Sequence, residues 1–370
     1  MTFSKEQKLL KSSVSKEKLY DFFSKINDKE KFENYLKVFK SFSKEKQGRS
    51  GAEVGSISDK LVMKISSVKF SKKAIVDNEC LFLKSQLNEI IINYVLTNLE
   101  DFVKLDSKEI KLKKTYLLSL KDFGITNNKS YIINEKVGTN VGNNYLTNLS
   151  DILKINHLPK IKKDNLLSVE YQKYFIKRIV TPIDTILTLL HKKIDFYHTD
   201  FKLDNIFIKE KTVSGYDSLK KNGIFLNFIP LISDLDKSRL ILKGRKILPI
   251  DDKKIVTSLG SKLGYEPLLH FRYKCQIKYG KEKCIKFNKG DFDILLFFIN
   301  VYLLLHMYEL VDLFSLLDNY VMKRFKFTEE DMMKFKMVMK KSYKKSSFLS
   351  KVSATNMSGI IYQICKKLEY

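Results

Sequence analysis

Apolar positions along the chain change their period at several points, and those changes divide it. From about residue 5 to 44 the chain is rich in Lys, Glu and Ser. Leu19, Phe22, Phe23, Ile26, Phe32, Tyr35, Leu36 and Phe39 recur there at three-to-four spacing, which predicts one or two amphipathic helices. Gly48-Arg49-Ser50-Gly51 breaks the pattern, and Leu61-Val62-Met63-Lys64-Ile65 then reads as a short strand. Asn78 to Leu99 returns to helical spacing. Tyr116 to Leu120 and Tyr131 to Ile133 read as two strands joined by a turn through Gly124 and Asn127-Asn128. Leu166 to Phe196 is a long helical pattern interrupted by Pro182. Ile206 to Ile208 and Ile232-Ser233 read as strands flanking a polar insertion, and from Asp291 onward the pattern is mostly helical. A β-rich first part followed by a mainly helical second part predicts an α+β protein of two lobes. The expected division is a helical extension over 1–45, a small β-rich lobe over 46–137 and a larger helical lobe over 138–370.

Composition adds charge to this picture. The 370 residues carry 68 Lys and Arg against 42 Asp and Glu, a formal net charge of +26. Such a surface attracts acidic proteins, anionic membranes and, secondarily, nucleic acid. A hydrophobic fraction of 44% argues against wholesale disorder. Cys80, Cys275, Cys284 and Cys365 have no CxxC spacing, so neither a zinc site nor a disulfide framework is indicated, and a reducing compartment is expected. Met1 to Lys8 has no apolar core of a secretory signal. The most apolar run, Ile294 to Leu305, is shorter than the roughly 20 residues that span a bilayer. A soluble, cytoplasmic protein is expected; the oligomeric state is not readable.

The chemistry concentrates at His198-Thr199-Asp200-Phe201-Lys202-Leu203-Asp204-Asn205, placed between a helical pattern and the strand at Ile206. Phosphoryl transfer requires a carboxylate beside the acceptor hydroxyl, a cation over the phosphates and oxygen ligands for a metal ion. Asp200, Lys202 and Asn205 supply those groups in one loop. The segment resembles the catalytic loop of protein kinases, H-R-D-L-K-P-x-N. The resemblance implies a two-lobed kinase-like fold, with ATP and Mg2+ as cofactors and a protein substrate. It makes Asp200 the base, with Lys202 on the γ-phosphate and Asn205 on the metal.

Other segments follow in the order the resemblance implies. Ile232-Ser233-Asp234-Leu235-Asp236 resembles the strand and Asp-Phe-Gly of the family, with Asp234 as a second metal ligand and Asp236 where Gly is usual. Asp122-Phe123-Gly124 matches that motif in text but precedes the catalytic loop, so a turn between strands is expected there. Lys64 takes the place of the lysine that holds the α- and β-phosphates. Glu89 is its preferred ion-pair partner, with Glu79 the alternative. The glycine-rich loop is the poorest match, carried by Gly51, Gly55 and the β-branched Ile57, with a tight hairpin implied between Gly55 and Lys64. Asn134-Glu135-Lys136-Val137 resembles the hinge, which assigns Glu135 and Val137 to the adenine edge and a polar side chain, Asn134, to the position before them. Either Asp291 or Asp293 is placed to brace the catalytic loop backbone, or to cap the apolar helix.

Departures from the pattern place the chain in a branch. Thr199 stands where an arginine usually reads a phosphorylated activation loop, so control by that route is not expected. With the insertion after Ile208, the Asp-x-Asp at Asp234 and no clear Ala-Pro-Glu, the chain resembles poxvirus-type virion serine/threonine kinases of large DNA viruses. That resemblance extends the expected location to host cytoplasm or virion. Two other readings stay open. One is a small-molecule phosphotransferase of the aminoglycoside or choline kinase type, which shares H-x-D-x-x-x-x-N but usually lacks the lysine found here as Lys202. The other is a non-catalytic basic pseudokinase scaffold.

Overall fold

A computed structural model describes residues 28–42, 52–67, 74–76, 80–83, 85–126, 128–141, 144–164, 167–210, 228–242, 245–249 and 291–345, with 360 and 364. Gly51, Glu79, the helical pattern before residue 28 and most of the insertion after Ile208 lie outside them. The described residues fall into two compact units. The first draws on Met1–Lys136, Lys192–His198 and Ser233–Tyr265; the second on Val137–His191, Thr199–Ile232 and Glu266–Tyr370. The α+β class expected from the residue pattern is the class observed.

The first unit is built on a five-stranded antiparallel sheet. Its strands are β1 (Lys40–Ser41), β2 (Glu53–Ser56), β3 (Leu61–Ser67), β6 (Leu120–Ile125) and β7 (Lys129–Glu135), in the order β1-β2-β3-β7-β6. Successive side chains on a strand point to opposite faces, and both faces are covered. On one face Met63 and Ile65 of β3 and Tyr131 and Ile133 of β7 pack with Phe32 from helix α1 (Lys29–Val38). Phe32 stacks on Tyr131 at 5.4 Å between ring centroids. Asp122 of β6 lies on this face too, its register partner being Ile133. It is buried, and it accepts from Lys31 Nζ at 2.8 Å and Tyr35 Oη at 2.6 Å. Helix α1 is therefore fastened to the sheet by an apolar stack and a buried carboxylate.

Helix α2 (Ser85–Thr97) lies against the other face, where Tyr94 meets Phe123 edge to face at 5.7 Å. Leu87 through Leu96 are buried without interruption, as befits a helix covered on all sides. Two expectations are corrected here. The helical pattern read from Asn78 begins only at Ser85, and Cys80–Leu83 form strand β5, paired with β4 (Ala74–Val76). Likewise Tyr116 closes helix α3 (Ser107–Tyr116), whose Asp106 and Glu109 make a capping box, and the strand starts at Leu120. Gly124 is accordingly within β6, where a Cβ would lie 2.5 Å from the Tyr131 ring, and the turn falls between Ile125 and Lys129. Strands β12 (Leu240–Leu242) and β13 (Arg245–Pro249) add to β5, the latter in parallel.

The second unit is mainly helical. After the hairpin β8 (Thr139–Val141) and β9 (Asn144–Leu146) come the short helices α4 (Leu149–Ile152) and α5 (Leu158–Lys163). Helix α6 (Leu167–Phe175) runs through one wide turn into α7 (Thr181–Ile194). Pro182, which has no N–H to donate, falls just after that wide turn. Helix α8 (Phe292–Met307) is the apolar run, buried from Phe292 to Ile299 and from Val301 to Leu305. Helices α9 (Ser315–Phe325) and α10 (Glu329–Lys345) follow it. Strands β10 (Ile206–Glu210) and β11 (Phe228–Ile232) pair antiparallel across the insertion. No helix among the described residues is long and apolar enough to cross a membrane.

Candidate active site

Strand alternation decides which side chains share a face with Lys64. Met63 and Ile65 are committed to the α1 side, so Lys64 projects toward α2, together with its register partners Val54 and Ile132. There its ammonium meets both carboxylate oxygens of Glu89 at 2.9 Å and Asp234 Oδ1 at 3.2 Å. The Lys64 side chain is 21% exposed and that of Glu89 8%, against 36% for Asp234. Burial by itself would lower the lysine pKa. Glu89 and Asp234 outweigh it and hold Lys64 above the usual lysine range, so it is a permanent cation. Burial pushes the Glu89 carboxyl up to about 7; Lys64 opposes that, while Asp234 and Asp236 add to it.

Asp234 adopts φ +59°, in the left-handed region that Asp tolerates better than most residues. Beside it, the Ser233 carbonyl bonds His198 Nε2 at 2.7 Å. Tyr197 and Arg239 exchange backbone hydrogen bonds of 2.9 and 2.8 Å, and the Arg239 guanidinium lies 4.3 Å from the Tyr197 ring centre. The residues just before the catalytic loop and just after Asp234 are thus mutually held within the first unit.

In the second unit, Asp200, Lys202 and Asn205 occupy one short stretch ending in a 3-10 turn, Leu203–Asn205. Asn205 Nδ2 donates to the Asp200 carbonyl at 2.8 Å, which orients the amide, and Lys202 Nζ lies 3.3 Å from Asp200 Oδ2. Asp200 and Asn205 are buried. Phe201 anchors the stretch by packing on Phe297 of α8 at 6.4 Å between centroids. Thr199, at φ +67°, is a β-branched residue in a conformation such residues avoid. Its N–H donates to Asp293 Oδ1 at 2.9 Å. Of the two aspartates open as the brace, Asp293 takes the loop, and Asp291 pairs instead with Arg324 Nη1 at 2.7 Å.

The remaining sequence-derived candidates are placed less simply. Gly55 lies inside β2, not in a loop, opposite Met63. A Cβ there would come within 2.7 Å of the Phe39 ring, so its lack of a side chain serves packing beneath α1. Ile57 packs against the same cluster, on the face away from Lys64. The tight hairpin between β2 and β3 is present. The connection from β1 to β2 carries Gly48 and Gly51 and lies outside the described residues. Glu135 ends β7, and the following Lys136 N–H donates to the Lys60 carbonyl at 2.7 Å. Val137 is buried, with its carbonyl accepting from Tyr145 Oη at 3.1 Å. Asn134 shares the Lys64 face, since its register partner is Val62, and its Oδ1 is buried with no hydrogen-bond partner among the described residues.

Hard divalent cations take oxygen ligands, and the carboxylate of Asp234 and amide oxygen of Asn205 suit Mg2+ in kind. Residues that sequence reasoning did not single out are Asn88, Arg239 and Ser238. Each is a polar side chain buried through long-range partners, and spacing along the chain carries no signal of that.

No family model matches the chain, and no curated protein matches it. Among solved structures, Rad53 1–466 in complex with AMP-PNP is 16% identical, with a TM-score of 0.28 over 87% of this chain and 62% of that one. The chain therefore matches less than two thirds of that structure's length, and a likeness so loose carries no weight for fold or function.

Proposed function

We propose that the chain is an ATP-dependent serine/threonine protein kinase. The reading rests chiefly on Lys64, held by Glu89 and Asp234 in the arrangement that the kinase-like motifs imply for a phosphate-binding lysine. Lys64 binds the α- and β-phosphates, with Gly51 as a candidate for the nucleotide-covering segment, and Glu135 and Val137 flank the adenine edge. Asp200 accepts the proton of the substrate hydroxyl as its oxygen bonds the γ-phosphorus and the bond to the ADP oxygen breaks. Lys202 neutralises charge on the transferring group. Asn205 and Asp234 hold Mg2+, whose chemistry is to offset the phosphate charge.

Lys202 favours a protein acceptor over a small molecule, whereas the Asp-x-Asp at Asp234 and Asp236 favours the small-molecule phosphotransferases. We place the lysine above the metal-site spelling because it acts at the transferred group. Thr199, Asp236 and the insertion after Ile208 favour a poxvirus-type branch. The net charge of +26 favours acidic or membrane-associated protein substrates, with nucleic acid secondary.

Labelled ATP, Mg2+ and a panel of acidic and basic proteins decide the matter. The wild type is expected to transfer phosphate to serine or threonine, and Asp200→Ala and Lys64→Met to lose at least about a hundredfold of that rate. Equal transfer by Asp200→Ala would remove the reading. Transfer to aminoglycosides or choline but never to protein would favour the small-molecule alternative. ATP-independent nucleic-acid binding with a steep salt dependence would favour the scaffold.

A further inference from the structure

Asn88 immediately precedes Glu89 on α2 and is fully buried. Its Nδ2 donates to two carbonyls far along the chain, that of Asp236 at 3.0 Å and that of Ser238 at 2.7 Å. Its Oδ1 is buried with no hydrogen-bond partner among the described residues. Leaving such an oxygen unsatisfied is costly. An apolar side chain would fill the same space without that penalty, so the two donor bonds set the residue type.

Both carbonyls belong to the segment that carries Asp234. Ser238 is itself cross-tied: its N–H donates to the Leu235 carbonyl at 3.1 Å, and its Oγ donates to the His198 carbonyl at 3.3 Å. His198 in turn bonds the Ser233 carbonyl. Every one of these groups lies in the first unit. One amide therefore joins the helix that presents Glu89 to the segment that presents Asp234, and Ser238 and Ser233 tie that segment to His198. The residue following Leu235 is Asp236, not the Gly that would let this segment flip, and the clasp grips its carbonyl.

We infer that Asn88 is a positioning residue, a clasp that holds Glu89 and Asp234 together on Lys64. The role rests on the kinase reading above, but its test does not depend on catalysis alone.

Asn88→Leu keeps the volume and removes both donors; Asn88→Ser serves as a second variant if the first does not fold. Hydrogen exchange is followed in peptides covering 85–97 and 234–242, and acylation of Lys64 by an amine-reactive reagent is timed in the full-length chain. A variant that retains the wild-type thermal transition is expected to exchange at least tenfold faster in 234–242 and to acylate Lys64 several-fold faster. Its kcat is expected to fall at least tenfold, with KM for the protein substrate unchanged. Unchanged exchange and acylation in a folded variant would overturn the clasp. Absence of phosphate transfer by the wild type would sink the kinase reading, while exchange and acylation would still decide the clasp.

Discussion

Asp293 holds Thr199 in a backbone conformation that a β-branched residue does not adopt by choice. The Thr199 N–H reaches Asp293 Oδ1 at 2.9 Å, with Thr199 at φ +67°. The carboxylate comes from α8, the most buried helix of the second unit, so a rigid element sets the shape of the loop that carries Asp200. Strain of this kind persists only where the surroundings over-determine it.

Asp293→Ala is expected to release that loop. Loss of a charge-assisted hydrogen bond costs about 1.5–3 kcal/mol, read by chemical denaturation, and under the proposed kinase function phosphate transfer should fall much further than stability does. Asp293→Asn keeps an acceptor oxygen and should recover most of both. Equal rates for the alanine variant and wild type would show that the brace is unnecessary.

The raised pKa of Glu89 makes a signed prediction. Because the folded value, about 7, lies above the ordinary glutamate range, the folded state takes up a proton before the unfolded chain does. The contribution to stability is therefore present at low pH and lost as pH rises through about 7. Lys64, Asp234 and Asp236 are the charged groups that set this value. Denaturation of wild type and Glu89→Gln between about pH 5 and about pH 8 should show that slope only in the wild type. Activity should run the opposite way, falling on the acid side as Lys64 loses its charged partner.

Removing the α1 stack should destabilise the first unit. Phe32 is 5% exposed and rests on Tyr131, Met63 and Ile65. Phe32→Ala is expected to cost about 3–5 kcal/mol, seen as a lower urea midpoint with an unchanged slope. A change below about 0.5 kcal/mol would mean that α1 is not integral to this core.

Arg324 is the corresponding fastener of the second unit. Its Nε lies 2.8 Å from Asp184 Oδ2, its Nη1 2.7 Å from Asp291 Oδ1, and Tyr320 Oη donates to Asp184 at 3.0 Å. Arg324→Ala would leave two buried carboxylates without their cation, at about 3–5 kcal/mol. Arg324→Lys should recover less than half of that, because an ammonium cannot fork to both partners. A thermal melt of the three proteins orders them.

Much of this protein was legible in local pattern. The strand carrying Lys64, the apolar helix after Asp291 and the α+β class all follow from period and residue type, which depend on neighbours a few positions away. Glu89 was also named as the partner of Lys64, and the ion pair is formed. The misreadings have different causes. Cys80–Leu83 pair with Lys246–Pro249 far along the chain, and pairing that settles an element from a distance leaves little trace in its own period. Leu120 and Gly55 pair locally, with Asn134 and Met63, and there it was the element boundary that the short apolar run did not fix. Tertiary structure alone decided that α1 covers the sheet, that Asp122 is its anchor and not a turn, and that Asp293 braces the loop while Asp291 pairs with Arg324. It also set Asn88 against two carbonyls some 148 and 150 residues away. A hydrogen bond depends on a few tenths of an ångström between groups that only folding brings together, and no spacing along a chain encodes that distance.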